Sequence, residues 1–147
     1  MSGLAKAVDE IDDVIIGLLR NEGRMSWREL GEHVHLSATS VGDRVRRLER
    51  EGIIGGYRAV ISPQSLGKDL AAVVELSLRP DVVPEDFETE LVKQGDVSFA
   101  AYVTGAADYA VFLDCAGPEG LDRFTRWCKA NGAASTESRV VLRRVVG

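Results

Sequence analysis

The chain predicts an α+β protein: an N-terminal three-helix helix-turn-helix domain over 1–56, a strand linker over 57–69, and a C-terminal ferredoxin-like βαββαβ sandwich over 70–147. Three observations carry this. Up to Gly52 the apolar residues recur at spacings of three and four, the period of a helix with one buried face. After Gly55-Gly56 the period shifts toward two. From Leu70 onward, segments of strand and helix character alternate in the order β-α-β-β-α-β, which belongs to an antiparallel sheet with both helices on one face.

Residues 1–8 are read as a frayed end. An amphipathic helix runs from Asp9 to about Asn21, with Ile11, Val14, Ile15, Leu18 and Leu19 as its stripe and Gly23 as its stop. Ser26-x-x-Glu29 is a capping box that opens a second helix bearing Leu30 and Val34, followed by Leu36 in a turn. Ser37 caps a third helix in which Val41, Val45 and Leu48 share one face, and Gly52 ends it. Gly31 and Gly42 interrupt the two helices at roughly 1 kcal/mol each relative to alanine. Tyr57 to Ile61 reads as a strand closed by Ser62-Pro63. Such a strand needs a partner, because two unpaired edges are unstable in water.

In the second half, strands are expected at Leu70–Leu78, Val97–Thr104, Tyr109–Asp114 and Thr136–Val146. Helices are expected from Pro84 to about Gln94 and from Pro118 to about Ala130. Leu121, Phe124 and Trp127 form the buried spacing of the last helix, and Asn131-Gly132 stops it. One sheet with two helices on one face leaves the other face bare. Association through sheet faces is therefore the physical expectation.

Composition excludes several function classes. The net charge of -5 rules out a generally basic nucleic-acid coat. Residues 1–62 hold nine basic and ten acidic side chains and residues 63–147 hold nine and thirteen, so the acidity lies mainly in the second half. Any contact with DNA must come from a local patch on the first half. No apolar run is long enough to span a bilayer and no export leader is evident, so a cytoplasmic protein without membrane partners is expected. Cys115 and Cys128 stand apart, and His33 and His35 lie in the helix-turn-helix. No metal site, cofactor or catalytic set is expected, and an enzyme on this fold is the weakest reading.

The third helix supplies the candidate DNA groups. Thr39, Ser40, Asp43, Arg44, Arg46, Arg47 and Arg50 fall off its apolar face, and Ser26, Trp27 and Ser37 stand at the two helix starts. Hydroxyls and helix N-terminal amides hold phosphates, whereas arginine matches the paired acceptors of guanine. The turn Thr104-Gly105-Ala106-Ala107-Asp108 offers a hydroxyl, backbone amides for a carboxylate and an acid for an ammonium group. Gly105 and Asp108 equally suit a turn that needs a positive φ and a local cap.

Residues 8–67, with their acidic opening, the Leu36-Ser37 turn, the run R-V-R-R-L-E-R-E-G-I-I and Gly56-Tyr57, resemble the N-terminal half of the Lrp/AsnC (feast/famine) family of transcription regulators. Y-V-T-G-A-A-D-Y-A-V-F-L from Tyr102 to Leu113 and R-V-V-L-R-R-V near the end resemble its effector-sensing half. The resemblance implies a sequence-specific regulator of double-stranded DNA. It implies a homodimer building toward a tetramer or octamer, the linker strand pairing with its copy, and a small amino acid bound between subunits. Thr104, Gly105, Ala106, Asp108 and Arg139 are the effector positions carried over. Ala106, Ala107 and Arg139 depart from the residue types common in the family, which keeps open an architectural DNA-binding protein of the same fold without an effector.

Overall fold

A computed structural model describes residues 8–145. The expected fraying of residues 1–7 lies outside that range. Two compact units meet between Val60 and Ile61, inside the expected connector.

The first unit holds α1 (Glu10–Asn21), α2 (Trp27–Val34) and α3 (Ala38–Arg50). Each start is fixed by a side-chain cap. The Asp9 carboxylate accepts the Asp12 N–H at 2.8 Å and the Asp12 carboxylate accepts the Asp9 N–H at 3.1 Å, a capping box built from two aspartates. Glu29 accepts the Ser26 N–H at 2.8 Å while the Ser26 hydroxyl accepts the Glu29 N–H at 3.2 Å. Ser37 accepts the Ser40 N–H at 3.1 Å. Ile15, Leu30, Val41, Val45 and Leu48 are buried; Val14, expected on the same stripe, is half exposed.

The turn between α2 and α3 explains Gly31. His35 takes a left-handed φ of 56° and the Leu36 N–H donates to the Gly31 carbonyl at 3.0 Å. A Cβ on residue 31 would sit 2.4 Å from the Leu36 carbonyl oxygen, so the turn closes only over glycine.

The strand expected at Tyr57–Ile61 is not formed: residues 55–62 carry no regular structure, and a single 3-10 turn follows at Gln64–Leu66. A strand exists through its ladder, and no segment among the described residues pairs with this one.

The second unit contains β1 (Leu70–Leu78), α4 (Pro84–Leu91), β2 (Val97–Tyr102), β3 (Tyr109–Cys115), α5 (Gly117–Ala130) and β4 (Ala133–Val140). The sheet order is β2-β3-β1-β4 with every pair antiparallel, as the βαββαβ reading requires. Three elements differ from expectation by more than one residue. α4 stops at Leu91 because Val92 to Gln94 tighten into turns, with the Gln94 N–H donating to the Leu91 carbonyl at 3.0 Å. β2 stops at Tyr102 because the Val103 N–H turns back to the Asp108 carbonyl at 2.8 Å. β4 begins at Ala133 and ends at Val140, not Val146. Its partner β1 runs out: Val140 lies opposite Ala72, and one further bond joins the Val141 N–H to the Ala71 carbonyl.

Alternation then divides the sheet. Val74 and Leu76 of β1 and Tyr109, Val111, Leu113 and Cys115 of β3 pack against Phe87 and Leu91 of α4 and Phe124 and Cys128 of α5. Phe87, Tyr109, Phe124 and Trp127 join this core at ring separations of 5.4 to 5.8 Å. The opposite face carries Ala71, Val73, Ala101, Ala110 and the cross-strand pair Phe99 and Phe112. Phe99 is 56 % and Phe112 43 % exposed, so among the described residues this apolar face stays largely open, with only Val141 and Arg144 at its margin.

Candidate nucleic-acid interface and turn-side cleft

At about 100° per residue, positions four, three and four apart on α3 line up. Thr39, Asp43, Arg46 and Arg50 make one such stripe, and all four are exposed. Ser40, Arg44, Arg47 and Glu51 make a second, about a quarter-turn away. The two stripes behave differently.

The sequence places Arg44 and Arg47 outward with Arg46 and Arg50; the structure turns both toward α1. Arg44 Nη1 donates to Asp9 Oδ2 at 2.6 Å and to Asp12 Oδ1 at 2.9 Å, and Arg47 Nη2 donates to Asp12 Oδ2. Asp12 is fully buried. An interior carboxylate keeps its charge only when it is paired and hydrogen-bonded, and these two arginines supply that compensation. Burial alone would raise the Asp12 pKa; the bonds from Arg47, the Asp9 amide and Arg44 outweigh it and hold the carboxyl at about 2, against an ordinary 3.8. Arg44 and Arg47 thus tie α3 to α1 and are withdrawn from the outer surface.

Of the remaining expected DNA groups, Thr39 and Arg50 are exposed on α3, and the others are at the surface in capped or paired states. The Ser37 hydroxyl donates to Ser40 Oγ at 2.9 Å, and the Ser26 hydroxyl donates to Glu29 at 2.6 Å. Trp27 lies over α3, with Arg46 Cζ 4.7 Å from its ring centroid. Asp43 Oδ1 accepts from Arg46 Nη2 at 2.7 Å. Sequence reasoning missed Asp9 and Asp12, the groups that decide which arginines reach the surface. Their spacing marks a helix start; only the fold brings them to a helix more than thirty residues away.

In the second unit, Thr104, Gly105 and Ala106 occupy the exposed turn between β2 and β3, with Gly105 at φ 125°. Thr104 and Ala106 line a cleft of about 480 Å³ together with Glu75, Ser77, Thr136 and Glu137. Asp108 is not in that lining. Its carboxylate accepts the Leu78 N–H at 2.8 Å, a bond to β1 thirty residues away and not the local cap of the turn that the sequence left open. Arg139 lies on the open face, bonded to Glu75 at 2.6 Å and to Glu137 at 2.8 Å. Thr104, Gly105, Ala106 and Asp108 therefore gather at one end of the sheet, whereas Arg139 lies farther along it opposite Val73, and the charged members Asp108 and Arg139 already have partners within the chain.

No group of three or more potential ligand side chains that could hold a metal occurs among the described residues. Cys115 and Cys128 are buried thiols whose pKa burial pushes up, that of Cys128 to about 12. No helix among the described residues is long and apolar enough to cross a membrane.

A trihelical unit with a polar stripe on its third helix, followed by an antiparallel sandwich with a cleft at one end, defines a helix-turn-helix DNA-binding protein with a separate ligand-binding type of domain. Residues 8–49 match the AsnC-type helix-turn-helix domain and residues 71–147 match the Lrp/AsnC ligand binding domain. The chain belongs to the Lrp/AsnC family of transcription regulators. An uncharacterised HTH-type transcriptional regulator of Pyrococcus abyssi is 34% identical over 136 residues, 91% of this chain and 85% of that protein. The leucine-responsive regulatory protein of Escherichia coli is 41% identical over 107 residues, 71% of this chain and 65% of that one. Among solved structures, B. subtilis LrpC superposes with a TM-score of 0.87 at 29% identity, covering 95% of this chain and 98% of that one. A transcriptional regulator of Neisseria meningitidis in complex with L-Met gives 0.89 at 28% identity, covering 96% and 94%.

Proposed function

We propose that this regulator reads double-stranded DNA through the outward stripe of α3, assembles through its open sheet face, and binds a small amino acid beside the turn at 104–108. The observation that carries the reading is the exposed line Thr39, Asp43, Arg46 and Arg50, which puts a hydroxyl and two guanidinium groups along one side of the third helix of a helix-turn-helix. It acts in the cytoplasm by binding, with no catalytic step.

Assembly is supported by two features of the chain. The face bearing Phe99 and Phe112 is apolar and uncovered, and the segment Tyr57–Ile61 has strand-like sequence without a ladder partner. A homodimer satisfies both, and dimers build to a tetramer or octamer. An amino-acid effector is supported by the cleft beside Thr104 and by the bound L-Met of the Neisseria meningitidis relative.

One observation favours a second reading, an effector-free architectural DNA-binding protein: the carboxylate of Asp108 and the guanidinium of Arg139 are engaged within the chain. Selection of genomic fragments bound by the protein, with and without a mixture of amino acids, tests the first reading. Enrichment of discrete sites that shifts with amino acids supports it. Sites unchanged by any amino acid leave the second, and no site enrichment overturns both.

A further inference from the structure

Arg46 is the guanidinium on the outward stripe of α3 that is held from two sides. Its Cζ lies 4.7 Å from the centroid of the Trp27 ring, and its Nη2 donates to Asp43 Oδ1 at 2.7 Å. Trp27 is 43 % exposed, so it is no core residue, yet its place is defined. The ring lies on Gly42: a Cβ there would fall 2.7 Å from Trp27 Cε3 and 2.9 Å from Cζ3. Gly42, a helix-weakening residue by propensity, is therefore the seat that lets an indole lie flat against the helix.

This arrangement commits an aromatic ring, a glycine and an aspartate to fixing one exposed arginine. Its chemistry fits a particular ligand. Stacking on an aromatic ring uses the flat face of a guanidinium and none of its five N–H donors. Asp43 engages one nitrogen, and the other donors keep their hydrogen-bonding capacity. Guanine presents two adjacent acceptors, N7 and O6, on its major-groove edge, and an arginine edge matches both at once. A long side chain ordinarily loses rotamer freedom on binding; one already stacked and paired has lost most of it beforehand.

We propose that Arg46 reads a guanine in each half-site and that Trp27, seated on Gly42, is the positioning residue that presets it. The assignment rests on α3 being the DNA-reading helix. Arg44 and Arg47, turned to Asp12, take no part in base reading, and Arg50 on the same stripe lies beyond the reach of the Trp27 device, one turn further along.

The test uses the full chain and a pool of duplexes randomised over about 30 base pairs, long enough for two half-sites one helical turn apart. Wild-type protein should enrich a motif with a guanine in each half-site, preferred over other bases by roughly 5- to 150-fold. Arg46→Ala should lose that preference at one base pair per half-site and keep the rest of the motif. Trp27→Ala and Gly42→Ala, which remove the ring and displace it respectively, should each weaken the same preference several-fold, while Trp27→Phe restores most of it. Thermal unfolding and affinity for an unselected duplex report whether a variant is folded and separate loss of reading from loss of fold. A motif that Arg46→Ala leaves unchanged overturns the guanine assignment while α3 still reads DNA. Retention of the guanine preference in both Trp27→Ala and Gly42→Ala overturns the positioning role. Enrichment of no motif by the wild type overturns the reading of α3 itself, and the proposal with it.

Discussion

Replacing Asp12 with asparagine should destabilise the N-terminal unit by about 2–4 kcal/mol with almost no change in side-chain volume. Asp12 is 0% exposed and accepts from Arg44 at 2.9 Å, from Arg47, and from the Asp9 amide at 3.1 Å. Asparagine keeps one acceptor oxygen, turns an NH2 group toward other donors and removes the charge. Two guanidinium groups that are only 27% and 18% exposed then face a neutral side chain. Breaking a buried ion pair from one side costs roughly 3–5 kcal/mol. Asp9 still pairs with Arg44 at 2.6 Å, and water reaches part of both arginines, which brings the expectation down to the stated range.

The same change has a pH dependence of known sign. The folded-state pKa of Asp12 is depressed to about 2 from 3.8, so the stabilisation from its charge is complete above about pH 4 and is lost as pH falls toward 2. That part is no more than roughly 2 kcal/mol, and wild type and Asp12→Asn should converge across this window. The assay is urea unfolding followed by circular dichroism, at one fixed protein concentration because subunit association adds to apparent stability. A cycle with Arg47→Met isolates the pair. A loss below about 0.5 kcal/mol near neutral pH, or a gap that stays constant down to pH 2, would refute the account of Asp12 as the charged tie between α1 and α3.

Arg50→Ala should lower the slope of log affinity against log salt by about 0.9 on any duplex, whereas Arg47→Ala should leave the slope alone and lower the melting temperature. Anisotropy titrations at several salt concentrations read both, and an equal drop in slope for the two would contradict the inward placement of Arg47. Phe112→Glu puts a charge in the middle of the open sheet face and should release monomers at micromolar concentration, seen by sedimentation velocity; a wild-type monomer, or a variant that still assembles, would sink sheet-face association. Gly31→Ala should destabilise by roughly 1–3 kcal/mol despite alanine's better helix propensity, since its methyl meets the Leu36 carbonyl in a closed turn. Thermal melts at fixed concentration decide it, and a stabilised variant would show the turn to be slack.

Periodicity made the helices and strands legible, because a spacing of three or four, or of two, is a property of neighbours along the chain. Caps were equally legible: Ser26 with Glu29 and Ser37 with Ser40 are local bonds, visible as residue types at fixed offsets. What could not be read depends on distant partners. Arg44 and Arg47 look like surface arginines until Asp12, more than thirty residues away, is placed beneath them. Gly31 and Gly42 look like flaws until the Leu36 carbonyl and the Trp27 ring occupy the space their missing side chains leave. The connector failed for a related reason. Strand propensity at Tyr57–Ile61 expresses what the segment can pair with, and the described residues of this chain supply no partner. At the turn, Asp108 was legible either as a ligand group or as a cap, and the register that sets its carboxylate on the Leu78 amide is long-range information.

The same inward turning bears on how an acidic chain handles DNA. Of the four arginines on α3, two are neutralised by Asp9 and Asp12 and a third shares Asp43, so the outward stripe carries little unshared positive charge. Counterion release scales with the number of phosphates neutralised, and one such helix gives a weak, shallow salt dependence. On the proposed reading, affinity from a single subunit is small and discrimination comes from a few well-held donors such as Arg46. Linking several such units converts later contacts into intramolecular ones and raises overall binding by orders of magnitude without any new contact. In this chain the uncovered face with Phe99 and Phe112 and the unpaired segment at Tyr57–Ile61 are the features able to make that link. On that proposal a sparse reading stripe and a surplus of unsatisfied interface are two sides of one physical arrangement: weak local charge permits selectivity, and assembly supplies the strength.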